Sequence, residues 1–291
     1  MEEKGDQLMA EGEKHLKKFS FFSASGDKAD KAHERFLLAA TQYKAVERFD
    51  KAANAYRRAA EMSKKSENEG EHVMELEEAG RLSAKAGDTT GAVAAFKEAV
   101  AVYERKQRYQ NAGKACAELG DLTSGAEAQK WLEMAAKYYR TSGSKVTATE
   151  IVQKMADAKA RSGDYAAAQQ QFDQLARDAL DDPLSRGNAR KLFFSALLAQ
   201  LAGMTPDTLM EAVGVLEETF NEYQELDVQF NVHTREHMLI TALIDALQEE
   251  NVEGFEEAVC EYDNICPLDA TRQKMLTKAK ATLRSRVNDL R

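Results

Sequence analysis

One string in the 291 residues has the spacing of a metal site: His233-Thr-Arg-Glu236-His237. On a helix, histidines at i and i+4 share a face and can hold zinc, and H-x-x-E-H is the string of the inverzincin peptidases. A working site also needs a third ligand and an ordered shell behind the ligands. Neither is identifiable in the 54 residues after His237, so surface histidines on a helix are the simpler reading. His15, His33 and His72 are scattered, and no Ser/His/Asp or Cys/His grouping stands out. Cys116, Cys260 and Cys266 are too few for a disulfide framework or a CxxC zinc site, and read as small core residues. No GxGxxG or GxxxxGK[ST] string occurs, and the glycines sit singly at expected helix ends, so nucleotide hydrolysis by this chain is not expected. The residues thus predict no enzyme, and neither cofactor nor metal.

Charge and hydropathy narrow the partners. The balance of 40 Lys+Arg against 49 Asp+Glu gives −9, which argues against nucleic-acid binding. The start, MEEKGDQLMAEGEKHL, has no apolar core of a signal, and no run of about 18 apolar residues occurs after it, so secretion and membrane spanning are not expected. With so few cysteines, the expected setting is the cytoplasm.

The elements that must carry any surface are helices. Pro occurs only at 183, 206 and 267, while Ala, Glu, Lys, Gln, Leu and Met dominate; these side chains lose little rotamer freedom in a helix. A phrase of small and aromatic residues recurs: Ala52, Tyr56 and Ala59; Ala92, Phe96 and Ala99; Trp131 with Ala135; Ala168, Phe172 and Leu175. The aromatic positions are 40, 35 and 41 residues apart. Each phrase comes after a polar turn, at Arg48–Asp50, Gly87–Asp88, Gly120–Asp121 and Gly163–Asp164, where Gly can close one helix and Asp cap the next. Residues 1–180 therefore read as an all-α, TPR-like solenoid of antiparallel helical hairpins, and such a frame offers an extended surface to another protein. A scaffold that captures a peptide terminus is a rival reading, but a TPR clamp needs 34-residue repeats, and the longer, uneven period disfavours it.

From Asp181 the phrase disappears, and 181–291 read as a C-terminal helical bundle. Charge segregates there: residues 211–262 hold 14 acidic residues and one basic, Arg235, whereas 267–291 hold 7 basic and 2 acidic. The simplest account is solvated faces and a basic last helix that complements an acidic neighbour. Phe19, Phe21 and Phe22 lie in the expected loop 17–28 beside Lys17 and Lys18. They form either a cluster folded under the loop or an aromatic tip for the bilayer interface.

A series of landmarks, in order, carries a family resemblance over essentially the whole chain. They are FSFFS, then FDKAANAYRRAAE within 39–61, QRYQNAGK at 107–114, DDPL with FF at 181–194, TRE, EENVEGFEEAVCEYDNICPLD at 249–269 and a terminal DLR. The chain resembles the soluble NSF attachment proteins, most of all their alpha type. The resemblance implies an elongated right-handed array of hairpins capped by a C-terminal bundle. It also implies an adaptor that binds assembled SNARE bundles, several copies to one bundle, and brings to them the ATPase NSF, which takes the bundle apart after membrane fusion. The SNARE-facing basic positions it implies are Arg108, Lys114, Lys154, Arg190 and Arg235. Position 150, commonly Lys in the family, is Glu150, with Lys145 nearby as a substitute. Leu290 matches the penultimate leucine associated with stimulating NSF. The acidic cluster before it is reduced to Asp289, for which Glu253, Glu256 and Glu257 are candidate replacements. The N-terminal loop keeps Phe21 and Phe22 but has Ala24 and Ser25 in place of the family's next apolar pair, so weaker peripheral membrane contact is expected.

Overall fold

The computed structural model describes residues 1–17, 25–183 and 185–289, with backbone alone at 25–27 and 289. Among these residues there is no strand, and there are fourteen α-helices. They are, in order, α1 (Glu2–Lys17), α2 (Ser25–Ala45), α3 (Phe49–Lys65), α4 (Glu69–Lys85), α5 (Thr89–Arg105), α6 (Tyr109–Leu122) and α7 (Gly125–Thr141). Next come α8 (Lys145–Ser162), α9 (Tyr165–Asp181), α10 (Ala189–Gly203), α11 (Leu209–Leu226), α12 (Arg235–Gln248), α13 (Val252–Ile265) and α14 (Ala270–Asp289). Packing divides the chain into two compact units, Met1–Ile151 and Val152–Arg291, so the division falls within α8.

In the first unit each helix packs on its neighbour in sequence, α1 on α2 through α6 on α7. Five of its turns share one geometry. Glu47, Glu67, Gly87, Gln107 and Gly143 all have positive φ, from 56° to 81°. Around each, two hydrogen bonds close the helix: the Glu47 N–H donates to the Lys44 carbonyl and the Arg48 N–H to that of Tyr43, and the same pair recurs at Gly87 and Asp88. This is the Schellman closure. The next residue then starts another helix, and Asn68 and Asp88 cap α4 and α5 by accepting from the Glu71 and Gly91 N–H groups. From α3 to α5 the helix starts are 20 residues apart, which explains the first aromatic interval of 40. The second interval is shorter because α6 has only 14 residues and ends in extended backbone at Thr123 and Ser124. Gly120 and Asp121, expected to form a turn, therefore lie inside α6. Gly120 is there for packing, since a Cβ on it would stand 2.6 Å from Leu132 Cδ2. Several other glycines are likewise within helices, not at their ends. Gly5 faces Tyr43, Gly12 faces Phe36 and Gly80 faces Phe96, each ring occupying the space of the missing Cβ.

Exposed ion pairs link next-but-one helices: Lys51–Asp6 (2.7 Å), Lys44–Glu78 (3.1 Å), Lys64–Glu98 (2.7 Å) and Lys97–Glu127 (3.0 Å). At the surface each contributes about 0–1 kcal/mol. Burial of the small residues of the recurring phrase, Ala52, Ala59, Ala92 and Ala99 among them, provides the main stabilisation.

The second unit is built round α10, whose Leu192 through Ala199 are all buried. Phe193 meets Tyr223 of α11 at 4.1 Å between ring centroids, and Phe194 meets Tyr262 of α13 at 5.5 Å. Phe172, Leu175 and Ala179 of α9 join the same core. The expected boundary at 180 marks the end of the aromatic phrase; α9 packs on α10 and belongs to the second compact unit. Arg272 of α14 is only 12% exposed and ties three elements. It pairs with Asp157 of α8 at 2.8 Å, donates to Ser195 Oγ at 2.9 Å and stacks over Phe172 at 5.5 Å. Burial pushes the Asp157 carboxyl above its ordinary range against the pull of Arg272.

Candidate functional site

The H-x-x-E-H string does not assemble a metal site. α12 begins at Arg235, with the Thr234 hydroxyl accepting from the His237 N–H as its cap. His233 is therefore outside the helix, and the two histidines lose the shared face that i, i+4 spacing promised. His237 turns inward, Nε2 lying 2.9 Å from Gln224 Oε1 and the ring 4.9 Å from Phe220. Burial holds its pKa below the ordinary histidine value. Glu236 faces Arg190 of α10, 3.5 Å away.

Two of the histidines read as scattered are held by polar contacts between packed helices. His33 of α2 bonds through Nε2 to Glu75 of α4, and Ser63 of α3 donates to the other Glu75 oxygen at 2.7 Å. His72 places Nδ1 2.8 Å from the Ala60 carbonyl. A Ser, a His and a carboxylate are thus in contact, contrary to the sequence reading. The carboxylate is in the middle, so the serine hydroxyl has no histidine to take its proton, and Ser63 is 2% exposed; nucleophilic chemistry needs the opposite order. Cys116 is buried, with its thiol pushed up to about 12, and is a core residue as expected, whereas Cys260 is exposed and Cys266 half-buried, so the core reading fails at Cys260.

The basic positions fall on both units. In the first, Arg108 is the exposed residue just before α6, in the turn where Arg105 and Lys106 pair with Glu69 at 2.7 and 2.5 Å. Lys114 is exposed on α6 itself, about 9 Å further along the axis. Lys145 and Glu150 are exposed on α8. In the second unit, Lys154 is half-buried on α8. Arg190 and Arg235 come together: Arg190 pairs with Glu236, and both arginines act electrostatically on the Tyr262 phenol, which burial pushes well above its ordinary value.

Arg235 also lines an apolar groove of about 140 Å³ between α12 and α13, together with Met238, Glu261, Tyr262 and Ile265. Met238 and Ile265 are 56% and 58% exposed. Sequence reasoning missed both, because an apolar residue at helical spacing reads as core unless its neighbours are known. Glu256 is engaged by Lys280 at 2.9 Å and Arg284 at 3.3 Å, and Arg286 reaches Glu250 at 3.4 Å, so the basic last helix does complement the acidic one before it. Phe19, Phe21, Phe22 and Leu290 lie outside the described residues, as does the Asp289 side chain.

Comparison with known proteins adds what geometry alone leaves open. Residues 3–284 match the family model described as "Soluble NSF attachment protein, SNAP". The chain belongs to the soluble NSF attachment protein family. The alpha-soluble NSF attachment proteins of Mus musculus and Homo sapiens are each 29% identical to it over 98% of this chain and 96% of theirs. That of Saccharomyces cerevisiae is 27% identical over 93% of this chain and 91% of its own. Family membership accounts for the all-helical frame. Among the described residues, no helix is long and apolar enough to cross a membrane.

Proposed function

We propose that this chain is an adaptor: it binds assembled SNARE complexes and recruits and stimulates the ATPase NSF, which dismantles them in vesicle trafficking and membrane fusion. The observation that carries this reading is the family match over residues 3–284 on a frame of stacked helices. The chain is not itself an enzyme in this scheme; the ATP chemistry belongs to NSF. A SNARE bundle is acidic along much of its surface, and the acidic excess of this chain lies mainly in residues 211–262, a segment of the sequence that holds only one of the five basic positions, Arg235. Arg108, Lys114, Lys154, Arg190 and Arg235 are the residues proposed to face the bundle, with steering by long-range charge and modest contributions from single pairs. The groove of Met238, Tyr262 and Ile265 beside Arg235 would add apolar contact where two bundle helices meet. Several copies would surround one bundle, and Phe19, Phe21 and Phe22 would give a peripheral membrane contact. At the other end, Leu290 would stimulate NSF, with Asp289 beside it.

The deciding experiment is a pull-down with an assembled SNARE bundle and NSF, scored for ATP-dependent disassembly; a folded chain that captures neither partner refutes the proposal. Within it, K114E/R235E should bind the bundle at least tenfold more weakly at low salt, with a smaller difference at high salt and unchanged helicity. These two are chosen because both are exposed, whereas reversing Arg190 would also set two carboxylates against each other at Glu236. Leu290→Ala should retain bundle binding and lower the stimulated ATP hydrolysis; a normal disassembly rate would remove the role given to that residue.

A further inference from the structure

We infer that His33, Glu71 and Glu75 form a binding site for a divalent transition-metal ion such as Zn²⁺, which would tie α2 to α4. One nitrogen of His33 and one oxygen from each glutamate lie within 4.8 Å of one another, close enough for a single ion to reach all three. The two glutamates are at i and i+4 on α4, one face of one helix, and the histidine comes from the facing side of α2. Imidazole with carboxylates is the donor set of borderline ions, and three protein ligands leave a fourth position for water. That position opens outward, because Glu71 is exposed while Glu75 is buried.

Two further observations set this cluster apart from a chance group of acids. Glu75, the innermost donor, has its second oxygen fixed by the Ser63 hydroxyl at 2.7 Å, and Ser63 is itself buried. This is the kind of outer partner that orients a metal-ligating carboxylate. The charges that act most on His33 are also acidic: Glu75, Glu71 and Asp30. Without a cation, two carboxylates, Glu71 and Glu75, stand within ligating reach of the imidazole, and Glu75 is hydrogen-bonded to it. An ion would take the place of the proton between the two side chains, releasing it to solvent if His33 carries it. The ligands come from the second and fourth helices, so the ion would act as a clip between successive hairpins.

The test is titration of the metal-free full chain with ZnCl₂ by calorimetry and with CoCl₂ by visible absorption. One equivalent should bind at micromolar or tighter Kd, Co²⁺ should give the intense bands of a four- or five-coordinate site, and Zn²⁺ should raise the melting temperature. Glu71→Gln, at an exposed position, should keep the fold by circular dichroism and weaken binding at least tenfold; His33→Ala should do the same or more. H233A/H237A should bind as the unaltered chain does. No stoichiometric binding, or binding unchanged in Glu71→Gln and lost in H233A/H237A, overturns the site.

Discussion

At Gly80 the backbone of α4 comes so close to Phe96 that a Cβ would stand 2.8 Å from its ring. Gly80→Ala is therefore expected to destabilise the chain by about 1–3 kcal/mol despite the better helix propensity of alanine, a shift readable in the urea midpoint. His237 gives a pH signature. Its folded pKa is held below the ordinary value by burial, so the native state binds fewer protons than the unfolded one. Its contribution is present above about pH 6.5 and is lost as pH falls through the folded pKa. His237→Gln should flatten that part of the stability profile; an unchanged slope between pH 7 and 5 would place the histidine in an environment like water. Sequence made these residues legible only in part. The cysteine in the core was readable from composition, but the His33–Glu75–Ser63 network was not, since its members are 42 and 12 residues apart and meet only through helix packing.

The elements were legible because their period is strong, and the positive φ of the turns only where glycine supplies it. Gly87 and Gly163 announce their φ of 81° and 91°, and Asp88 and Asp164 after them cap the next helices as expected. Glu47, Glu67, Gln107 and Glu250 adopt the same left-handed conformation with side chains that give no hint of it. Such residues resist φ near +55° by about 1–2 kcal/mol, part of which glycine gives back as unfolded-state entropy. Glu47→Gly and Gln107→Gly should thus each stabilise the chain by roughly 0.5–1 kcal/mol, in contrast to glycine placed mid-helix. Thermal unfolding of the single variants checks this, and a loss of stability would show that the side chains contribute more than the strain removes. The α6–α7 turn was misread because Gly120 looks like a terminator and acts as a seat for Leu132.

For the molecule as a whole, the two units differ in what they bury. The first relies on alanine with occasional rings, such as Ala52, Ala53, Ala59, Ala60 and Phe96; the second packs Phe172, Phe193, Leu197, Leu198, Leu201 and Leu243 into one core. Larger side chains remove more apolar surface per residue. Native-state hydrogen exchange should accordingly be slower in α10 than in α3 or α5, and Phe193→Ala should cost about 3–5 kcal/mol. Equal protection throughout would mean the alanine layers are as cohesive as the larger core. Chain-wide landmarks made the family legible. The division at 180 was read from where the aromatic phrase stops, and sequence does not show which helices pack on α10.

The 20-residue spacing of α3, α4 and α5 has a consequence for how such a chain can change in length. Excising residues 49–88 would splice Arg48 directly onto Thr89, and both sides of that seam already have the same turn. α5 would inherit the seat of α3, small residue for small residue. Losses or gains of whole 40-residue cassettes thus leave the joint intact, whereas an indel inside a helix turns the residues after it by 100° per residue round that helix's own axis.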